Sequence, residues 1–98
     1  MFVLELSYVA ALERVEEVLG EHLVWLRGQY EAGVFLASGR KEPRDGGIIL
    51  AVGNDVAAVR ELVKSDPFMV AGVCEYRVTQ FYATNVAAGL EQYRETVS

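Results

Sequence analysis

The spacing of apolar residues changes along this chain in a fixed order, and that order leaves few folds open. Phe2, Leu4, Leu6 and Tyr8 alternate at period two, which predicts a strand over residues 2–8. The spacing then shifts to threes and fours. Leu12, Val15, Leu19, His22, Leu26 and Tyr30 form one stripe, so residues 11–32 are expected to be a helix with that stripe turned inward. Gly20 costs such a helix about 1 kcal/mol against alanine. Gly33 is placed to end it in a left-handed conformation.

Residues 34–39 read as a second strand, and residues 47–52 as a third that is apolar on both faces, as a central strand is. Pro43, Asp45, Gly46 and Gly47 punctuate a turn region over 40–47 and make the two strands a hairpin. Asn54 or Asp55 caps a second helix over 55–64, with Val56, Val59, Leu62 and Val63 as its stripe. Asp66-Pro67 stops it, and residues 68–72 are expected to form a short turn or 3₁₀ segment. Residues 73–82 make the last strand. Cys74, Tyr76 and Val78 point one way, and Val73, Glu75, Arg77, Thr79 and Phe81 the other. A short helix carrying Leu90 and Tyr93 is expected after residue 86.

Strand, helix, strand, strand, helix, strand folds as α+β: a four-stranded antiparallel sheet with both helices on one face. No repeat, low-complexity tract or linker interrupts the sequence, so residues 1–98 are expected to be a single domain. The other sheet face then lies bare. Val3 opposes Phe2 and Leu4, and Val73 and Phe81 oppose Tyr76 and Val78, so this face carries apolar groups too. The 52% hydrophobic content is slightly high for so short a chain. A monomer rarely exposes several hundred Å² of apolar sheet. A homodimer with sheets packed face to face is therefore expected.

A net charge of -5, with lysines and arginines scattered apart from Arg40, Lys41 and Arg44, argues against a nucleic-acid partner. No apolar run reaches the length of a membrane-spanning helix. Met1 leads straight into the strand pattern without a basic leader. Cys74, the one cysteine, has no intrachain partner for a disulfide and reads as a buried, inert thiol. The expected location is the cytoplasm.

Few groups remain to do chemistry. Histidine alone ordinarily changes charge near neutral pH, and His22 is the only one. It lies in the inward stripe, as either a core histidine bonded to backbone or an acid–base group. Asp66, in Ser65-Asp66-Pro67-Phe68, either builds the turn before proline or meets the imidazole across the helix pair. In the second case the carboxylate orients the ring, raises its basicity and leaves the other nitrogen free. Ser38 either bonds a ligand or satisfies a turn. It lies in no Gly-x-Ser-x-Gly, so a serine nucleophile is not expected. Gly46-Gly47 serves the hairpin, since no phosphate-loop lysine follows. One histidine and one distant cysteine make no zinc site, so neither metal nor cofactor is expected.

Several pieces recur in a familiar order: Met1-Phe2-Val3-Leu4-Glu5-Leu6-Ser7-Tyr8; His22 with Trp25-Leu26; and Tyr30-Glu31-Ala32-Gly33-Val34-Phe35-Leu36-Ala37-Ser38-Gly39. Gly46-Gly47-Ile48-Ile49-Leu50, Asp66-Pro67-Phe68, Ala71-Gly72 and Glu75-Tyr76-Arg77-Val78 follow. Over nearly its whole length the sequence resembles the YciI-like (YCII-related) family. The resemblance implies a ferredoxin-like βαββαβ fold that dimerises as an α+β barrel. It implies a His–Asp pair in a cleft, here His22 and Asp66, with Ser38 nearby. One relative in chlorinated-aromatic degradation is a dehydrochlorinase, and muconolactone isomerases share the wider fold. Many members read Ser-Gly-Pro where this chain has Ser38-Gly39-Arg40. Arg40 either grips a substrate carboxylate bidentately or sits in solvent.

The expectation is a small enzyme in which His22 and Asp66 act as general base and acid on a small cyclic or acidic metabolite. Isomerase, lyase or dehydrochlorinase chemistry fits, with Ser38, Arg40 and Tyr76 binding the substrate. The alternative is a non-catalytic ligand-binding or assembly module, in which the pair is a structural hydrogen bond.

Overall fold

A computed structural model describes residues 1–97. β1 (Phe2–Tyr8) leads into α1 (Leu12–Glu31). The hairpin β2 (Phe35–Arg40) and β3 (Gly46–Ala51) follows, then α2 (Val56–Lys64), the single turn α3 (Pro67–Val70) and β4 (Cys74–Gln80). All neighbouring strands pair antiparallel, in the order β2-β3-β1-β4. This is the ferredoxin-like arrangement. β1 sits inside because both of its edges find partners: Leu4 lies between Ile49 of β3 and Val78 of β4.

The helices cover one sheet face and divide the core into two clusters. Val59 and Val63 of α2 pack over Phe2, Leu4, Phe35, Ile49 and Ala51. Val15 and Val18 of α1 pack with Leu6, Phe68, Val73 and Cys74. On the uncovered face Val3, Ile48 and Leu50 alternate in the ladder with Glu5, Arg77 and Thr79. That face is half polar.

α1 ends as its sequence dictates. Gly33 adopts φ +75°, and the N–H groups of Val34 and Gly33 donate to the carbonyls of Gln29 and Tyr30, each at 3.0 Å. This double bond pattern satisfies carbonyls that the last turn would leave open. The inward stripe is rotated from its expected position. Val15, Val18 and His22 are buried, whereas Leu12 and Tyr30 are each 38% exposed. At about 100° per residue the buried three share a sector of about 60°. Leu12, Leu19, Leu26 and Tyr30 lie to one side of it, along the flank facing β2.

Three further expectations change. Residues 68–72 were expected as a turn or 3₁₀ segment, but Pro67–Val70 is a helical turn. Asp66 caps it and Pro67 occupies its first position, where the missing N–H costs nothing. Val73 lies under the helices rather than on the open face, because β4 begins one residue later. Its carbonyl accepts from Val9 N–H at 2.9 Å, which ties the end of β1 to the start of β4. The tail holds only a 3₁₀ turn at Glu91–Tyr93. It is anchored by Glu95, whose carboxylate accepts from the Met1 ammonium and from Ala83 N–H, each at 2.8 Å.

Gly46 separates backbone constraint from helix propensity. A Cβ there would stand 1.8 Å from the Leu6 carbonyl oxygen, inside the β1–β3 ladder, whereas a Cβ on Gly20 meets nothing within 4 Å. Gly46→Ala is expected to lower stability by about 2 kcal/mol or more. Gly20→Ala should raise it by about 0.5–1 kcal/mol. Chemical denaturation of the two variants beside the parent protein checks both signs.

Candidate active site

The turn that stops α2 builds the centre of the site. Asp66 is 0% exposed. Burying a carboxylate is costly unless its oxygens are bonded, and here three donors converge on it. Oδ1 accepts from His22 Nδ1 at 2.8 Å and from Phe68 N–H at 2.9 Å. Oδ2 accepts from the Tyr76 hydroxyl at 2.5 Å. The carboxylate thus joins α1, α3 and β4. Burial, followed by the Asp66 charge and hydrogen bond, pushes the Tyr76 phenol far above its ordinary range, so this hydroxyl stays protonated and keeps donating.

The same turn fixes the imidazole plane. Phe68 stacks on His22 with centroids 4.0 Å apart and planes 9° from parallel, and Trp25 stacks at 6.0 Å. A carboxylate accepts only, so Nδ1 carries a hydrogen, and in the neutral ring Nε2 then holds the lone pair. Nε2 has no hydrogen-bond partner among the described residues. Among the described residues no solvent-sealed side-chain nitrogen or oxygen lacks one, so Nε2 is open to the space beside it. His22 as a whole is only 6% exposed.

That space is a cavity of about 260 Å³ between α1 and the β2–β3 end of the sheet. Leu6, Leu19, Leu26, Ile49 and Phe68 make its apolar walls, and Gly39, Gly46 and Gly47 leave backbone uncovered. The polar groups on it belong to His22, Ser38, Arg40 and Tyr8. The Ser38 hydroxyl is hydrogen-bonded to the Tyr30 hydroxyl at 2.6 Å. Arg40 has no ion-pair partner among the described residues.

The structure therefore brings His22, Asp66, Ser38 and Arg40 to one place. Tyr76 is different. It was expected to touch substrate, but its hydroxyl is committed to Asp66 and its ring does not line the cavity. It packs instead between the two core clusters, because its position on β4 lies across β1 from the cavity. Tyr8 and Tyr30 were read as parts of apolar stripes. Tyr8 lines the cavity, and Tyr30 holds Ser38. The available signal was that each closes its stripe, where the neighbouring element no longer covers a side chain. Among the described residues no three His, Cys, Asp or Glu side chains gather into a metal-ligand set.

The family model of the YCII-related domain matches residues 1–82, and the chain belongs to that family. Its structure is similar to that of 5-chloro-2-hydroxyhydroquinone dehydrochlorinase from Burkholderia phenoliruptrix AC1100 in complex with 2,5-dihydroxybenzoquinone. The TM-score is 0.66 at 16% identity, over 83% of this chain and 93% of that one. At that identity the likeness is one of fold. No curated protein matches the sequence.

Cys74 lies beneath the site without entering it. Burial first, then the charges of Asp66 and Glu75, push its thiol from 9.0 up to about 12. The protonated thiol is thus favoured by folding below about 9, and that advantage drains away as pH rises toward about 12. Tyr76 shifts in the same direction and adds to the effect. Stability should fall across that alkaline window. Cys74→Ala should flatten the decline while leaving the Tyr76 share, as read by denaturation midpoints against pH. At neutral pH, thiol reagents should modify Cys74 only on unfolding.

Proposed function

We propose that the protein is a small-molecule enzyme in which the His22–Asp66 pair carries out general acid–base chemistry on a small cyclic or acidic metabolite. One observation carries this: Nδ1 is fixed on a fully buried carboxylate while Nε2 is open to a mostly apolar cavity. Nε2 accepts a proton from a substrate carbon or hydroxyl, and Asp66 stabilises the imidazolium that forms. Returning the proton to a neighbouring atom is an isomerisation. Departure of a leaving group such as chloride, with its electron pair, is an elimination. Ser38 and Arg40 are proposed to touch the substrate, and Tyr76 to hold Asp66. The family and the fold shared with a dehydrochlorinase support small-molecule chemistry of this kind.

A non-catalytic module is favoured by one fact, the deep burial of both partners, which suits a strut between α1 and α3. Turnover separates the two. With chlorinated hydroxyhydroquinones and unsaturated lactones as trial substrates, His22→Gln should lower the rate by about 10²–10⁴-fold. Asp66→Asn should lower it too, with an NMR signature of a reoriented or differently protonated ring. Full turnover in His22→Gln would leave the strut as the better account.

The half-apolar open face supports a homodimer with sheets facing each other, and a free buried thiol suits a reducing cytoplasm. Leu50→Arg on that face should convert a dimer into monomers in sedimentation experiments. A parent protein that sediments as a monomer would remove this part of the proposal.

A further inference from the structure

We propose that the cavity beside His22 selects a single-ring anion and that Arg40 is the residue that selects it, an inference that rests on the enzyme reading above. The first argument is charge. The chain carries 14 acidic residues and a net charge of -5. Yet no Asp or Glu lines this cavity, and Arg40 is its one permanent cation. Three acids of neighbouring segments are matched to other cations. Lys41 takes Glu5 at 3.3 Å and Asp45 at 3.6 Å, and Arg44 takes Glu16 at 3.2 Å. Arg40 keeps five N–H donors with no carboxylate to receive them among the described residues.

The second argument is position. Arg40 ends β2 and lies across the ladder from Gly47, which in turn pairs with Leu6. Alternation puts Arg40 on the helix-covered face with Leu6, the face from which His22 descends. Gly47 adds no side chain between Arg40 and Leu6, and all three line the cavity. The third argument is size. An apolar cavity of about 150 Å³ holds benzene. A volume of about 260 Å³ takes one substituted six-membered ring, whereas a nucleotide would extend past the mouth. Leucine and isoleucine walls receive the ring, and Arg40 receives a carboxylate or an ionised enol or phenol at its edge.

Benzoate and its neutral counterpart benzamide test this by NMR titration of the backbone amides. Benzoate is expected to shift Ser38, Arg40 and Gly47 and to bind at least ~10-fold tighter than benzamide. Arg40→Gln should abolish that preference and Arg40→Lys should keep part of it, both with unchanged unfolding midpoints because Arg40 is exposed. Equal binding of the two probes, no binding of either, or an undiminished preference in Arg40→Gln would overturn the proposal. His22→Gln should still prefer benzoate. If it does so and also retains full turnover, the acid–base reading fails while the anion selectivity stands.

Discussion

A carboxylate with no exposure to water can persist only where the protein replaces the solvent it has lost. Asp66 is held this way by donors from three elements: an imidazole on α1, a backbone amide of α3 and a phenol on β4. Each donor is itself buried or half-buried, so removing any one leaves an unmet group costing about 1–3 kcal/mol. The arrangement is therefore cooperative. It sets the depth of α1 over the sheet, the start of β4 and the tautomer of His22 together.

That constraint also determines where a ligand can go. The turn after α2 supplies both the carboxylate and Phe68, so the imidazole is fixed by a hydrogen bond at its edge and a stack on its face. With Nδ1 occupied, only Nε2 is left, and it lies on the flank of α1 that the sheet does not fill. The cavity lies between Leu19 and Leu26 of that flank and the backbone of Gly39, Gly46 and Gly47. Apolar walls around a single basic nitrogen weaken competition from water and strengthen any charge placed inside.

Membership in the YCII-related domain family accounts for the frame common to residues 1–82. The polar edge of the cavity is the corner of β2. Ser38 is held by Tyr30, and Arg40 lines the cavity beside it. An arginine there brings a permanent charge to a site that otherwise offers an imidazole, hydroxyls and hydrocarbon. Glu5 and Asp45 are drawn to Lys41 instead, and Glu16 to Arg44.

The amino-acid order by itself determined the element order, the stop at Gly33, a cap at Asn54 or Asp55 and the break at Asp66-Pro67. Each depends on contacts within a few residues, and local spacing records those contacts. It also determined that His22 points toward the sheet, since a helical stripe has one inward side. Tertiary packing decided which edge of that stripe is buried: Val18 went in, and Leu12 and Tyr30 did not. It moved Tyr76 from the ligand to Asp66 and brought Tyr8 to the cavity. It turned residues after Asp66 into a helical turn. His22 and Asp66 are 44 positions apart. Whether they touch depends on how α1 rotates and sinks over the sheet, and that is fixed by the summed burial of both core clusters rather than by any short stretch of the chain.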